Sequence, residues 1–265
     1  MAAARQQRML LYKYTSCEAG LAILKTQQIG YAQPRTLNDP FEVSAFNWGT
    51  TESEPEAQLG QYFDSKFEQA QLKTDMAILS LSREPLNALM WAHYGQSHTG
   101  FVIGFDAESA GFADRSCNLI PAQFGSIVYS NTKPTHSFVD PSTTLNVGNE
   151  YSWRPEIREQ LDRLFLYKAG VWSYEEEVRV VKNVKNHEQG RSGQLTRITA
   201  GKPPRPLYAA SFPPEAVRRI YLGACNPLIN SDCNFRKLCE AGELSADLFE
   251  CHVDDETWQL KTSPL

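Results

Sequence analysis

A chain of 265 residues, 42% hydrophobic and 22% charged, carries enough apolar content to bury a substantial core, which argues against wholesale disorder. A net charge of −5 argues against coating nucleic acid by bulk electrostatics, although a local basic patch remains compatible with it. No apolar run approaches the ~20 residues of a membrane span, Met1 to Met9 lacks the apolar stretch of a secretory signal, and the six cysteines form no Cys-x-x-Cys pair, so the sequence predicts a cytoplasmic protein with free thiols and no metal site.

Met9 to Tyr14 reads as a strand, and Thr15-Ser16-Cys17-Glu18 has the form of a capping box opening a helix through Gln27. Asn38-Asp39-Pro40-Phe41 is a turn signature, because Asn and Asp bond their own backbone and Pro fixes φ. Glu54 to Thr74 reads as a polar helix with Leu59, Phe63, Phe67 and Ala70 at helical spacing. Strands are predicted over Met76 to Ser82, Gly100 to Phe105, Ser126 to Ser130, Glu177 to Lys182, Arg219 to Leu222 and Leu248 to Val253. Pro155 suits the first turn of a helix whose Ile157, Leu161, Leu164 and Phe165 form an apolar stripe up to Gly170. Strands without regular strand-helix alternation predict an α+β class. One domain is expected over 1–265, with its core at about 9–223 and the strands and helix of 224–265 packed on it.

Two stretches read as long surface loops. Asn131 to Trp153 is rich in Ser, Thr, Asn and Pro. Asn183 to Pro206 holds Lys185, Arg191, Arg197, Lys202 and Arg205 against the single acid Glu188. The basic stretch is either a solvated excursion or a clamp for phosphates or a nucleic-acid partner.

Serine-hydrolase elbow, zincin, P-loop and dinucleotide-fold glycine motifs are all missing from the sequence. What stands out is Trp172-Ser173-Tyr174-Glu175-Glu176-Glu177-Val178-Arg179. If this segment is extended, Glu175 and Glu177 share one face about 7 Å apart. Each then raises the pKa of the other, an arrangement that serves a site better than it serves stability. The alternative is a solvated acidic face on an edge strand. His93 and His98 fit hydrogen-bonded structural roles, and Trp91 fits either the core or a ring-stacking role.

Taken in order, Leu11-Tyr12-Lys13-Tyr14, Leu37-Asn38-Asp39-Pro40-Phe41-Glu42, Ser80-Leu81-Ser82, Leu89-Met90-Trp91-Ala92-His93-Tyr94-Gly95, His98-Thr99-Gly100, Ile103-Gly104-Phe105-Asp106, and Lys168 with the Trp172 to Arg179 segment resemble the bacterial domain-of-unknown-function family 2971. That family is in turn similar to the ADP-ribosyltransferases. The resemblance implies an ADP-ribosyltransferase-like split β-core with flanking helices and long surface loops, and NAD as substrate. It also implies a macromolecular acceptor, protein or nucleic acid, with 183–206 as a candidate contact, in a toxin or antiphage effector.

By the same resemblance, Lys13 beside Tyr12 stands where a basic residue meets the NAD pyrophosphate, although arginine is usual there. A lysine there offers a point charge and no bidentate fork. Ser80 and Ser82 form the Ser-x-Ser segment, and Trp172, Glu175 and Glu177 form the aromatic-x-x-Glu-x-Glu turn. Glu177 would stabilise an oxocarbenium-like ribose, Glu175 would activate the acceptor and Ser80 would support Glu177. Trp91, His93 and Tyr94 are further candidates for the nucleotide site, Tyr94 or Trp91 by stacking on nicotinamide. The rivals are an NAD glycohydrolase and a catalytically silent protein that binds nucleic acid or a partner.

Overall fold

The computed structural model describes residues 8–44, 70–134, 155–185, 195–201, 204–229 and 244–265. β1 (Leu10–Thr15) leads into helix α1 (Cys17–Thr26). The helix is capped by Ser16, whose Oγ accepts from the Ala19 amide at 3.2 Å, so the cap falls one residue later than a Thr15 to Glu18 box would place it. It stops at Gln27, which turns left-handed at φ 53° and donates its amide to the Ile23 carbonyl. Gly20 lets α1 lie on the sheet, since a Cβ there would come within 2.4 Å of the Phe101 ring. β2 (Gln28–Ala32) follows at once.

The remaining elements are β3 (Met76–Ser82), the short helix α2 (Ala88–His93), β4 (Phe101–Asp106), β5 (Val128–Ser130), helix α3 (Pro155–Phe165), β6 (Tyr167–Ala169), β7 (Glu177–Asn183), β8 (Leu195–Ala200), β9 (Arg205–Ser211), β10 (Val217–Leu222), β11 (Asp247–Val253) and β12 (Leu260–Pro264). Among the described residues these give an α+β fold dominated by one sheet in the order β12-β11-β10-β4-β1-β3-β2-β9-β8, with β7 also paired to β3. β5 and β6 form a separate parallel pair. No described helix is long and apolar enough to cross a membrane.

Several expectations need correction. Asn183 to Pro206 is not one long loop: Leu195–Ala200 is a strand, paired along its whole length with β9 at the sheet edge. α3 ends at Phe165, before the expected Gly170. Of the expected helix over 54–74, only its last turn is described, and residues 70–75 are helical. The rest of that helix, most of the Asn131 to Trp153 loop and the helix expected within 224–265 lie outside the described residues. Cys17, Cys117, Cys225 and Cys251 are free thiols.

The sheet is not continuous at β3. β7 pairs with all seven residues of β3, from Met76↔Asn183 to Ser82↔Glu177. That occupies one edge of the strand, so β1 and β2 must share the other. β1 reaches β3 only at Tyr12↔Ser82, and β2 only at Ala32↔Ile78. Four residues of extended chain separate the two contacts, about 13 Å. The sheet is therefore split over the middle of β3, around Ser80.

Side-chain alternation gives the two faces of β3 and β7 different characters. Ala77, Leu79, Leu81, Val178 and Val180 point into the main apolar core with Leu11, Ile29, Phe101 and Phe105. The opposite face begins apolar, where Met76, Ile78 and Val181 pack on Leu161, Leu164 and Phe165 of α3. Along that same face the paired residues then become Ser80↔Arg179 and Ser82↔Glu177. The change from hydrocarbon to charge falls beside the split.

Candidate functional site

Glu177 opens β7 buried at 4% exposure, and its carboxylate accepts from Arg179 Nε at 2.9 Å and Nη2 at 3.2 Å. Arg179 lies two residues on along the same face and is itself 1% exposed. Its Nη1 donates to the Phe165 carbonyl at 2.7 Å, and its Nη2 to Glu42 at 2.6 Å. On the other side of Glu177 stands Lys168 of β6, whose Nζ donates to Glu177 at 3.0 Å and also to Glu175. Glu175 Oε1 accepts from the Tyr94 hydroxyl at 2.7 Å, and that hydroxyl accepts from Asn38 Nδ2 at 3.2 Å. One continuous polar chain thus runs Glu42, Arg179, Glu177, Lys168, Glu175, Tyr94, Asn38. The loop holding Asn38 and Glu42 is tied to it at both ends.

Glu175 and Glu177 are not one pleat apart on a strand. Glu175 ends a 3₁₀ segment over Gly170–Glu175, and Glu176 turns left-handed at φ 43° before β7 begins. The two carboxylates still converge, on Lys168. Val43, next to Glu42, holds a φ of 52°, costly for a β-branched side chain. Backbone strain of this kind, on the order of 1–3 kcal/mol per residue, tends to gather where a site dictates the conformation.

The two carboxylates ionise differently. Burial works against the Glu177 charge, but Arg179 and Lys168, with a hydrogen bond from the Ser80 side chain, more than offset it, so its pKa lies well below the usual carboxylate range. For Glu175 burial wins over the attraction of Lys168 and its pKa is raised. Lys168 stays charged: burial opposes it, yet Glu177 and Glu175 raise its pKa overall. Lys13 is pushed the other way by burial, with Glu177 only partly restoring it.

A cavity of about 430 Å³ occupies the split. Glu175, Glu177, Ser80, Tyr12, Lys13, Ser82, His93 and Tyr94 all line it, so eight of the ten residues singled out from sequence meet in one place. Lys13 reaches across the gap and donates to the Ser80 carbonyl at 3.0 Å, supplying a donor to a backbone acceptor that neither β1 nor β2 pairs. Ser82 commits its hydroxyl to a turn, accepting from the Glu84 amide at 3.0 Å. His93 Nδ1 lies 2.9 Å from the Tyr174 hydroxyl.

The two tryptophans are elsewhere. Trp91 is fully buried, donates Nε1 to the Pro85 carbonyl at 2.9 Å and packs edge-on against Tyr14, so it is a core residue and not a stacking platform. Trp172 lies outside the cavity lining and carries Lys168 over its ring at 5.2 Å, which supports the lysine from behind. Glu42, Lys168 and Arg179 received no role from sequence, although all three sit in the quoted motifs. The usable signal was for Arg179, since a two-residue step from Glu177 on a strand keeps both on one face. Arg205, assigned only to the basic stretch, also lines the cavity.

The fold and site together define an α+β protein whose split sheet encloses a buried ion-pair network at one cleft. Residues 90–180 match the family described as Protein of unknown function (DUF2971), and over that segment the resemblance read from the motifs holds. It carries Tyr94, Lys168, Glu175, Glu177 and Arg179, whereas Lys13, Glu42 and Ser80 lie outside it. No curated protein and no solved structure matches the chain, so these comparisons show no likeness to the ADP-ribosyltransferases.

Proposed function

We propose that the protein is an NAD-dependent ADP-ribosyltransferase-like enzyme of the cytoplasm that modifies a macromolecule, protein or nucleic acid. The observation that carries this reading is the meeting of Lys13, Ser80 and Glu177, from three separate strands, at the gap in the sheet beside β3. A carboxylate kept ionised in a partly enclosed cleft is suited to a cation that forms only in the transition state.

In this reading the bond from ribose C1′ to the nicotinamide nitrogen breaks, and its electron pair leaves with nicotinamide. Glu177 faces the oxocarbenium-like ribose that results. The acceptor then forms the new bond to C1′, and its proton passes to Glu175. The raised pKa of Glu175 favours taking that proton, and Tyr94 and Lys168 hold the carboxylate in place.

The test supplies NAD labelled in its adenylate half, with cell lysate as acceptor, and follows nicotinamide release together with label on macromolecules. Wild type should show both. Glu177→Gln should lose both by ~10²-fold or more. Glu175→Ala should lose transfer while slow hydrolysis continues. Release without transfer in wild type would make the protein an NAD glycohydrolase, and neither activity together with no NAD binding would leave a silent binding protein.

A further inference from the structure

Among the described residues three cations line the cleft, and two are already engaged. Lys168 lies between Glu175 and Glu177. Lys13 sits at the Ser80 carbonyl with its charge disfavoured by burial. The third, Arg205, is exposed at the first position of β9. Its Nη1 donates to the Thr36 carbonyl at 2.8 Å, and among the described residues its side chain makes no other hydrogen bond. The guanidinium is therefore anchored at one corner, with its remaining N–H groups available to the cavity.

The β2 wall beside Arg205 is apolar and uncharged. β2 contributes Gly30 and Ala32 to the cavity, while its Ile29 and Tyr31 are buried in the core. A ligand on this side meets the small residues Gly30 and Ala32, the Leu207 side chain packed over Gly30, and one planar cation. On the β1 and β7 side it meets Tyr12, Tyr14 and the carboxylates. Carboxylates repel phosphate, and a guanidinium matches two phosphate oxygens at once where an ammonium offers a point charge.

We infer that Arg205 grips the phosphate groups of the ligand against the β2 wall, the task that the sequence resemblance assigns to Lys13. The inference rests on the proposed use of NAD for its ligand class, a nucleoside diphosphate. Lys13 then serves the floor of the cleft and the field around Glu177, and the ligand lies with its diphosphate towards β2 and β9 and its reacting ribose towards β7.

Calorimetric titration of wild type, Arg205→Lys and Arg205→Gln with inorganic pyrophosphate, ADP-ribose and adenosine tests this, with thermal unfolding confirming that the variants fold. Pyrophosphate and ADP-ribose should bind Arg205→Gln at least tenfold more weakly than wild type and Arg205→Lys to an intermediate degree, with adenosine unchanged. ADP-ribose binding unaltered in Arg205→Gln, or adenosine binding lost in parallel, would overturn the inference while leaving the NAD reading intact. Binding of pyrophosphate that depends on Arg205, in a protein that neither binds nor consumes NAD, would uphold the inference and defeat that reading. If wild type binds none of the three probes, the inference is wrong.

Discussion

The two edges of β3 are built from the same seven residues and meet opposite fates. Along one edge β7 pairs residue for residue, and Val178, Val180 and Val181 are fully buried behind it. Along the other, single contacts with β1 and β2 leave the middle of the strand facing a cavity, with a lysine ammonium taking the place of a ladder partner at Ser80. A strand that is saturated on one side can hold its geometry while the other side stays open to a ligand. The charged residues follow the same division, since β7 on the saturated edge fixes Glu177 at the cavity with Arg179 buried behind it.

The largest effect should come from breaking the saturated edge. Arg179→Ala leaves Glu177 and Glu42 buried without their common partner, and loss of one member of a buried ion pair typically costs ~3–5 kcal/mol. Denaturant unfolding should register that loss. A change near zero would show that the network does not hold β7 in place.

A smaller effect is expected on the open edge. Lys13→Met removes the donor to the Ser80 carbonyl, but water in the cleft can take its place, so the loss should stay within about 1.5 kcal/mol. If Lys13→Met unfolds the protein as readily as Arg179→Ala, the two edges are not mechanically different.

The least effect at neutral pH belongs to Glu175, and it sharpens the comparison by its sign. The pKa of Glu175 is raised on folding, so its contribution to stability is present in acid and is lost as pH rises through its folded value. The pKa of Glu177 is lowered, so its contribution is present at neutral pH and is lost as pH falls below the ordinary carboxylate value of about 4.3. Glu175→Gln should therefore melt at or slightly above the wild-type temperature at neutral pH, with the difference vanishing in acid. A large loss of melting temperature at neutral pH would make the pair structural.

Much of this frame was legible in the residues. Strand-like runs marked β1, β3 and β7, and the Thr15 to Glu18 box marked the start of α1 within one residue. Lys13, Ser80, Glu175 and Glu177 were named together and line one cavity. The failures have physical causes. β8 was obscured because the basic residues around it look like loop composition, although within it Leu195 and Ile198 are half-buried while Thr196, Arg197 and Thr199 face solvent. Trp91 was open to a core or a ring-stacking reading from sequence, and the core one holds, because its one polar atom finds an internal acceptor at Pro85 and the ring can be sealed. The pairing of Glu42 with Arg179 joins positions 137 apart, and no local spacing reports a contact of that separation. The extended form expected for Glu175 to Glu177 fails at Glu176, whose left-handed backbone interrupts the strand.

The central claim is that NAD occupies the open edge of β3, and amide hydrogen exchange with and without NAD tests it most directly. Bound NAD should slow exchange in peptides covering β1, β2 and the end of β3 around Ser80, and leave β11 and β12 unchanged. Unaltered exchange at those three strands under saturating NAD, or protection confined to another part of the sheet, would contradict it.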